Sequence, residues 1–163
     1  MVKTEQRHDT TRLWAGWLLT GLIVLELAGC GQKKDTHPGQ PVTKREAIFK
    51  QILRTLEPMG RMVRGNKDYD AAAFLQYATK LQTLSTQPWP YFTPGSVYSP
   101  SRVKNTVWSK PDEFKADQQK FISAVTTLHT QAATGNMEAI RPAFHAVESS
   151  CKSCHQEFRG PPR

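Results

Sequence analysis

The chain of 163 residues is long enough for one compact domain together with a targeting segment. Its formal net charge is +8, but the lysines and arginines are scattered and no basic cluster is interleaved with aromatic residues. We therefore expect no nucleic-acid partner and interpret the basic charge as a solvated surface, which an acidic partner or an anionic membrane can also contact.

The first 29 residues have the organisation of a secretory signal peptide. Residues 1–12 are polar, residues 13–25 are nearly all apolar, and the small residues Ala28 and Gly29 follow. The apolar run is shorter than the ~20 residues that an ordinary membrane-spanning helix needs. An uncleaved N-terminal anchor is the alternative interpretation.

The sequence Leu27–Cys30 resembles a bacterial lipobox, in which the cysteine becomes the new N-terminus and carries the lipid. The resemblance implies a lipoprotein that is lipidated at Cys30, exported to the periplasm and, because Gly31 is not an aspartate, anchored in the outer membrane. Residues 30–43 are almost without apolar side chains and predict a flexible tether. The folded domain is then predicted to span residues 44–163.

Two amphipathic helices are predicted next, over residues 44–64 and 70–86. Apolar residues recur at steps of three and four, Gly65 follows the first helix as a stop signal, and Asp70 is suited to cap the second. The residues predicted to face the core are Ile48, Ile52, Leu56, Met59 and Val63, and then Phe74, Tyr77, Ala78, Leu81 and Leu84.

Residues 87–108 interrupt this pattern with four prolines and one glycine, which exclude a long helix. The segment also carries five aromatic residues, more than a solvated linker would be expected to hold. We interpret it as a long crossover that packs on the other helices.

Two further helices complete a predicted all-α four-helix bundle. Ser109 and the following Lys-Pro-Asp predict the start of the third helix, Gly135 its end, and Asn136 the cap of the fourth. Pro142 predicts a bend in the fourth helix. The apolar stripes are Phe114, Phe121, Val125, Leu128 and Ala132, and then Ile140, Phe144, Val147, Cys151, Cys154 and Phe158.

The strongest chemical signal is the sequence Cys151-Lys-Ser-Cys154-His155. Two cysteines two residues apart and a following histidine are the attachment motif of a c-type haem, in which the thiols bond the vinyl groups and the histidine ligates iron. At about 100° per residue, the three side chains project from one helix face. That face is also the apolar stripe, which predicts a haem in the bundle core.

Three other interpretations of the cysteine pair are weaker. A zinc site needs two more ligands, and the chain has no second cysteine pair. A thioredoxin-type disulfide belongs at a helix N-terminus, whereas this pair lies deep in the last helix. A structural cysteine pair gives no reason for the adjacent His155.

Residues 44–159 resemble cytochrome c′, through the segment Gln-Pro-Trp-Pro-Tyr-Phe-Thr-Pro-Gly at 87–95, Trp108, and the C-terminal Cys-Lys-Ser-Cys-His-Gln-Glu-Phe-Arg. The resemblance implies a left-handed antiparallel bundle, a homodimer through the first two helices, and five-coordinate iron. It also places Arg45 at a haem propionate, Phe49 over the vacant face of the haem, and Arg159 beside the ligating His155.

Other iron ligands have less support. Low-spin relatives ligate iron with a methionine on the first helix, but Met59 lies about 15 Å along the helix from Phe49, and it and Met62 are predicted to pack in the core or a dimer face. His145 shares a helix with His155 and does not reach the opposite face. His129 is interpreted as a surface residue.

The resemblance implies a non-enzymatic haem protein that binds NO and CO at the vacant site. An aromatic ring over iron offers bound O₂ no hydrogen bond, so O₂ binding is expected to be weak. Periplasmic electron transfer to an acidic partner is the alternative, and a sensor in which haem ligation shifts the dimer equilibrium is a third hypothesis.

Overall fold

The computed structural model describes residues 35–161, and this part of the chain is helical. Its elements are α1 (Pro41–Val63), α2 (Ala71–Ser85), a 3-10 turn (Trp89–Tyr91), α3 (Thr106–Ser109), α4 (Pro111–Thr134) and α5 (Met137–Phe158). α1 packs against α2 and α5, and α4 packs against the same two helices, so that the four long helices close into a bundle. The predicted all-α four-helix bundle is confirmed. The predicted signal peptide and Cys30 lie outside the described residues.

Each long helix buries the apolar stripe that its sequence predicted. Burial of one such side chain stabilises a fold by about 1.5–3 kcal/mol. Leu56 and Tyr77 lie at the margin and are partly buried. The buried members of the shared core include Ile48, Ile52, Met59 and Val63 of α1, Phe74, Ala78, Leu81 and Leu84 of α2, Phe121, Val125, Leu128 and Ala132 of α4, and Ile140, Phe144 and Val147 of α5.

The helix ends follow the local signals with one exception. The side chain of Asp70 accepts a hydrogen bond from the Ala73 amide at 2.9 Å, and that of Asn136 accepts one from the Glu138 amide at 2.9 Å. Gly135 ends α4 in the left-handed region at φ 68°. Helix α4 begins at Pro111, within the predicted start at 109–112, but Ser109 ends α3 and does not cap α4, whose N-cap residue Lys110 makes no side-chain hydrogen bond.

The predicted tether extends too far into the chain. Helix α1 begins at Pro41, whose fixed φ suits a first helical position, and not at residue 44. The Asp35 side chain is buried and accepts a hydrogen bond from the Thr43 amide at 3.3 Å. Sequence composition missed this because Tyr98, the residue that joins residues 35–40 to the rest of the fold, lies far along the chain.

The crossover between α2 and α4 packs on the bundle, as predicted. The Trp89 indole donates to the Ser85 carbonyl at 2.8 Å, and the Trp108 indole donates to the Phe92 carbonyl at 3.2 Å. Val107 is buried with Phe114 and Phe158 in a second apolar cluster, which fixes the crossover against the end of α5. Within the described part of the chain, no helix is both long and apolar enough to span a bilayer.

Pro142 does not interrupt α5. The helix continues through it from Met137 to Phe158, and the proline ring is exposed. α1 likewise continues through Pro58.

Candidate haem site

The cysteine–histidine motif lies in the last two turns of α5. Cys151 and Cys154 are half-buried and are not joined by a disulfide, while His155 is exposed. All three side chains line the same cavity, which has a volume of about 650 Å³. The helical spacing of the motif therefore directs both thiols and the imidazole to one place.

The rest of the cavity wall is largely apolar and comes from four parts of the chain: α1, the crossover, α4 and the end of α5. Phe49 of α1 lies among aromatic rings, with its centroid 5.9 Å from that of Trp89 and 6.3 Å from that of Phe92 in edge-on contacts. The crossover thus holds the Phe49 ring against the bundle. The apolar lining residues are Phe49, Ile52, Leu53, Leu56, Trp89, Phe92, Val103, Phe114, Phe121 and Phe158.

The two thiols have the properties of buried, unactivated cysteines. Burial raises the pKa of Cys151, and burial together with the negative charge of Asp117 raises the pKa of Cys154 to about 12. A thioredoxin-type dithiol needs a cysteine whose pKa is lowered, which is the opposite shift. Among the described residues, no group of three histidine, cysteine or acidic side chains forms a metal site around the pair.

The environment of His155 favours its neutral form. Although the residue is exposed at the cavity opening, neighbouring protein atoms displace part of the water around its ring; this desolvation, followed by the positive charges of Arg159 and Arg102, lowers the pKa of His155. A neutral imidazole is the form that ligates a metal ion, since protonation occupies the ring nitrogen that would bind it.

Arg45 extends from α1 into the site, and its guanidinium donates hydrogen bonds to residues of the crossover. It is only 2% exposed. Its Nη1 donates to the Tyr91 carbonyl at 2.9 Å and to Ser96 Oγ at 2.6 Å, and its Nη2 donates to Ser101 Oγ at 2.7 Å and to the Ser96 carbonyl. Nε makes no hydrogen bond within residues 35–161, and Arg45 lines the cavity. The propionate contact stays a prediction, with Nε as the donor available for it.

Arg159 is the C-cap residue of α5 and lies beside His155 in the cavity wall. Its backbone forms a single antiparallel bridge with Val103 of the crossover. The residue is exposed, but partial loss of water around its side chain and the positive charge of Arg102 lower its pKa. The placement next to His155 agrees with its predicted position, and its proximal role stays a prediction.

The crossover also caps the end of α5, a feature that the sequence interpretation missed. The last four carbonyls of a helix have no partner within the helix. Here the His155 carbonyl accepts a hydrogen bond from the Arg159 amide, and the next three carbonyls accept hydrogen bonds from Lys104 or Thr106. Nζ of Lys104 donates to the Gln156 and Glu157 carbonyls at 3.0 Å, and Oγ1 of Thr106 donates to the Glu157 carbonyl at 3.2 Å. The Lys104 amide donates to the Phe158 carbonyl at 2.9 Å.

We call the contacts of Lys104 and Thr106 with the end of α5 the C-terminal clamp, and Arg102 extends this clamp beyond the helix. Its Nη2 donates to the Gly160 carbonyl at 2.7 Å, and its Nε donates to the Pro161 carbonyl at 3.0 Å. Cations at a helix C-terminus also complement the helix dipole. The available sequence signal was the pair of basic residues at 102 and 104, but nothing local connects that pair to a helix 50 residues later.

The cavity fits a haem. A volume of about 650 Å³ lies within the usual range of ligand pockets, about 300–1,000 Å³. Aromatic walls suit a large planar ring, and two thiols and a neutral imidazole project from one helix face into it. The family model for cytochrome c′ matches residues 40–159. The chain belongs to the cytochrome c′ family.

Individual relatives agree. The chain is 33% identical over 122 residues to the cytochrome c′ of Alcaligenes xylosoxydans xylosoxydans, covering 75% of this chain and 94% of that protein. Solved structures similar to it include a nitric oxide complex and a carbon monoxide complex of cytochrome c prime mutants from Alcaligenes xylosoxidans. Each has a TM-score of 0.72 and 30% identity, and covers 78% of this chain and 100% of that one.

Membership in the cytochrome c′ family confirms the predicted cofactor, because these proteins carry covalent haem c. In this chain Cys151 and Cys154 would bond the haem, and His155 would ligate its iron. The haem supplies an iron centre that changes oxidation state and binds small ligands. The protein supplies the apolar cavity, the imidazole and the cations around its opening.

Proposed function

We propose that this cytochrome c′ binds NO and CO at a five-coordinate iron, on the haem face that Phe49 covers. The observation that carries the proposal is the composition of the cavity wall. Within residues 35–161, the wall contains no methionine, and His155 is its one histidine. The two similar structures described above are of complexes with NO and CO, which supports these ligands.

The other candidate ligands lie elsewhere. Met59 and Met62 are 0% and 3% exposed and belong to the apolar core, as predicted. His129 contacts Thr79 Oγ1 at 3.2 Å, and His145 contacts Glu148 at 3.0 Å. These placements leave no imidazole or thioether opposite His155 in the described part of the chain.

The proposed test is spectroscopic. Absorption and electron paramagnetic resonance spectra of the haem-loaded protein are recorded in both oxidation states, with and without NO. We expect high-spin, five-coordinate iron that takes up NO. A low-spin spectrum with a methionine-to-iron band would contradict the assignment of the vacant face to Phe49 and would favour electron transfer.

Electron transfer is the second candidate, and the cavity opening favours it. His155 is exposed there. The cavities that it lines have more basic than acidic residues, a balance suited to an acidic redox partner: Arg45, Lys50, Arg102, Lys152 and Arg159 against Glu46 and Asp117. Rapid electron exchange with an acidic protein that slows steeply with salt would support this role. Neither role is enzymatic.

Location and assembly complete the proposal. We place the protein in the periplasm, held to the outer membrane by a lipid on Cys30, and expect a homodimer through α1 and α2. Mass spectrometry of the mature N-terminus tests the lipid. Ultracentrifugation with and without NO tests the dimer and the sensor hypothesis, since a change of mass on ligation would support a sensor and a constant mass would exclude it.

A further inference from the structure

A short loop precedes α1 and is fastened to the crossover. The Asp35 side chain is fully shielded from solvent. It accepts hydrogen bonds from the amides of His37 and Thr43, at 3.0 and 3.3 Å, and from the Tyr98 hydroxyl at 3.2 Å. One carboxylate therefore joins the loop, the first turn of α1 and the crossover.

Two further contacts close the loop. The His37 ring stacks on the Tyr98 ring, with centroids 3.4 Å apart and planes 14° from parallel. The Gln40 side chain donates to the Asp35 carbonyl at 3.1 Å. Residues 35–40 are thus held at both ends, and an acidic group at the N-terminus of α1 also complements the helix dipole. We call residues 35–40 the N-terminal latch.

The latch changes how far the domain can lie from an anchor at Cys30. Five residue steps separate Cys30 from Asp35, and an extended chain spans at most about 3.4 Å per residue, so the closed latch leaves a tether of at most about 17 Å. If the latch were open, the free chain would run to Pro41, where α1 begins, and would span up to about 37 Å. The closed latch therefore removes more than half of the available tether.

The latch lies at the haem end of the molecule. Phe49 follows Thr43 by six residues, which is about 9 Å along α1. Arg45, in the cavity wall, is bonded to Ser96 and Ser101 on either side of Tyr98. A short tether at the latch thus brings the haem cavity, and not the far end of the bundle, close to the anchor.

We propose that the N-terminal latch docks this end of the protein on a lipid bilayer, so that the haem cavity samples ligands at the membrane surface. The inference rests on the proposed lipidation of Cys30. A bilayer is the partner that the chain length favours, because the closed tether leaves little room for another protein between this domain and the membrane that holds the anchor. Small uncharged diatomic molecules partition into hydrocarbon, so this position suits their capture.

The test measures the distance from haem to lipid. Full-length lipidated holoprotein is bound to vesicles of phosphatidylethanolamine and phosphatidylglycerol that contain a headgroup fluorophore, which the haem quenches by energy transfer. Asp35→Ala opens the latch, and Asp68→Ala, an exposed acid between α1 and α2, is the matched control. A Gly/Ser insertion of about eight residues after Gly31 lengthens the tether without touching the latch.

We expect Asp35→Ala and the insertion each to reduce quenching by about twofold or more, because the permitted span rises steeply, and Asp68→Ala to have no effect. Faster hydrogen exchange at the Thr43 amide, with an unchanged haem spectrum, shows that Asp35→Ala opened the latch alone. Unchanged quenching in Asp35→Ala would overturn the proposal. Cys30→Ser separates the two claims, since vesicle binding that survives it would refute the lipid anchor itself.

Discussion

The two helices that face each other across the haem cavity are fixed to the crossover in opposite ways. On the α1 side, the helix supplies the donors, and Arg45 reaches into the crossover to bind its carbonyls and hydroxyls. On the α5 side, the crossover supplies the donors, and Lys104 and Thr106 bind the helix carbonyls. The α1 side carries the buried Arg45 and the ring of Phe49, which packs edge-on against Trp89 and Phe92, and it is called the aromatic side. The α5 side carries the exposed His155 and Arg159. The crossover thus accepts hydrogen bonds from one side of the cavity and donates them to the other.

The largest expected effect comes from placing an iron ligand on the aromatic side of the cavity, at Phe49. Phe49→Met sets a thioether opposite His155, and we expect the iron to change from high-spin five-coordinate to low-spin six-coordinate. The absorption and paramagnetic resonance spectra measure the change. Phe49→Leu is the control and keeps the high-spin spectrum, since leucine offers no ligand atom.

The spectrum of Phe49→Met also tests the starting state. If the native iron were already six-coordinate, the substitution would alter the spectrum little. That result would remove the vacant site from the proposed function.

Loss of the buried arginine should cost the most stability. Arg45→Met keeps the apolar stem but leaves the Tyr91 and Ser96 carbonyls and two hydroxyls without their donor. We expect the free energy of unfolding to fall by about 3 kcal/mol or more, because each buried unsatisfied group costs about 1–3 kcal/mol. Denaturant unfolding measures it.

The control for this change is Arg54→Met, at an exposed position on the same helix, which should shift the free energy of unfolding by less than about 0.5 kcal/mol. Equal losses in the two variants would show that the contacts of Arg45 with the crossover do not contribute to the free energy of unfolding.

Removal of the C-terminal clamp at the end of α5 should lower the free energy of unfolding by less, and its effect should be local. Lys104→Met deletes the Nζ donor to two α5 carbonyls, which are close to solvent and can recruit water. We expect a loss of about 1–2 kcal/mol in the free energy of unfolding. Faster hydrogen exchange at the amides of Phe158 to Gly160 should accompany it.

The matched variant is Lys115→Met on the exposed face of α4, where we expect neither effect. Exchange that rises throughout the bundle in Lys104→Met would contradict a local clamp. Lys104→Arg should restore part of the protection.

The smallest expected effect is the acid response of the latch. Burial raises the pKa of Asp35, but hydrogen bonds from His37, Thr43 and Tyr98 outweigh it and lower the pKa below its ordinary value. Its contribution to stability is therefore complete above about pH 4 and is lost as the pH falls through the lowered pKa. The other ionisable groups that face it are Arg45, Tyr98 and the His37 ring, whose Nδ1 lies 3.2 Å from the Asp35 carboxylate.

Unfolding measured against pH in the native protein and in Asp35→Asn tests this sign. Above about pH 4 the two curves should run parallel, with the native protein the more stable, and they should approach each other below it as Asp35 is protonated. A difference in slope at neutral pH would show that another group titrates in the latch.

The sequence predicted whatever depends on local spacing. The four apolar stripes, the caps at Asp70 and Asn136, and the face shared by the motif at 151–155 all follow from helix periodicity and short-range hydrogen bonding. The contacts of Asp35 with Tyr98 and of Lys104 with α5 join residues more than 50 positions apart. No local pattern encodes such pairs, so the ordered latch and the clamp became visible only in the folded chain.

The latch has a mechanical consequence. Asp35 is bonded both to α1, through the Thr43 amide, and to the crossover, through the Tyr98 hydroxyl. A force applied at the N-terminus is therefore shared between two parts of the fold before it reaches the core. If the protein is anchored through Cys30 as proposed, a pull from the bilayer therefore acts on this joint before it acts on Phe49 and the rings around it.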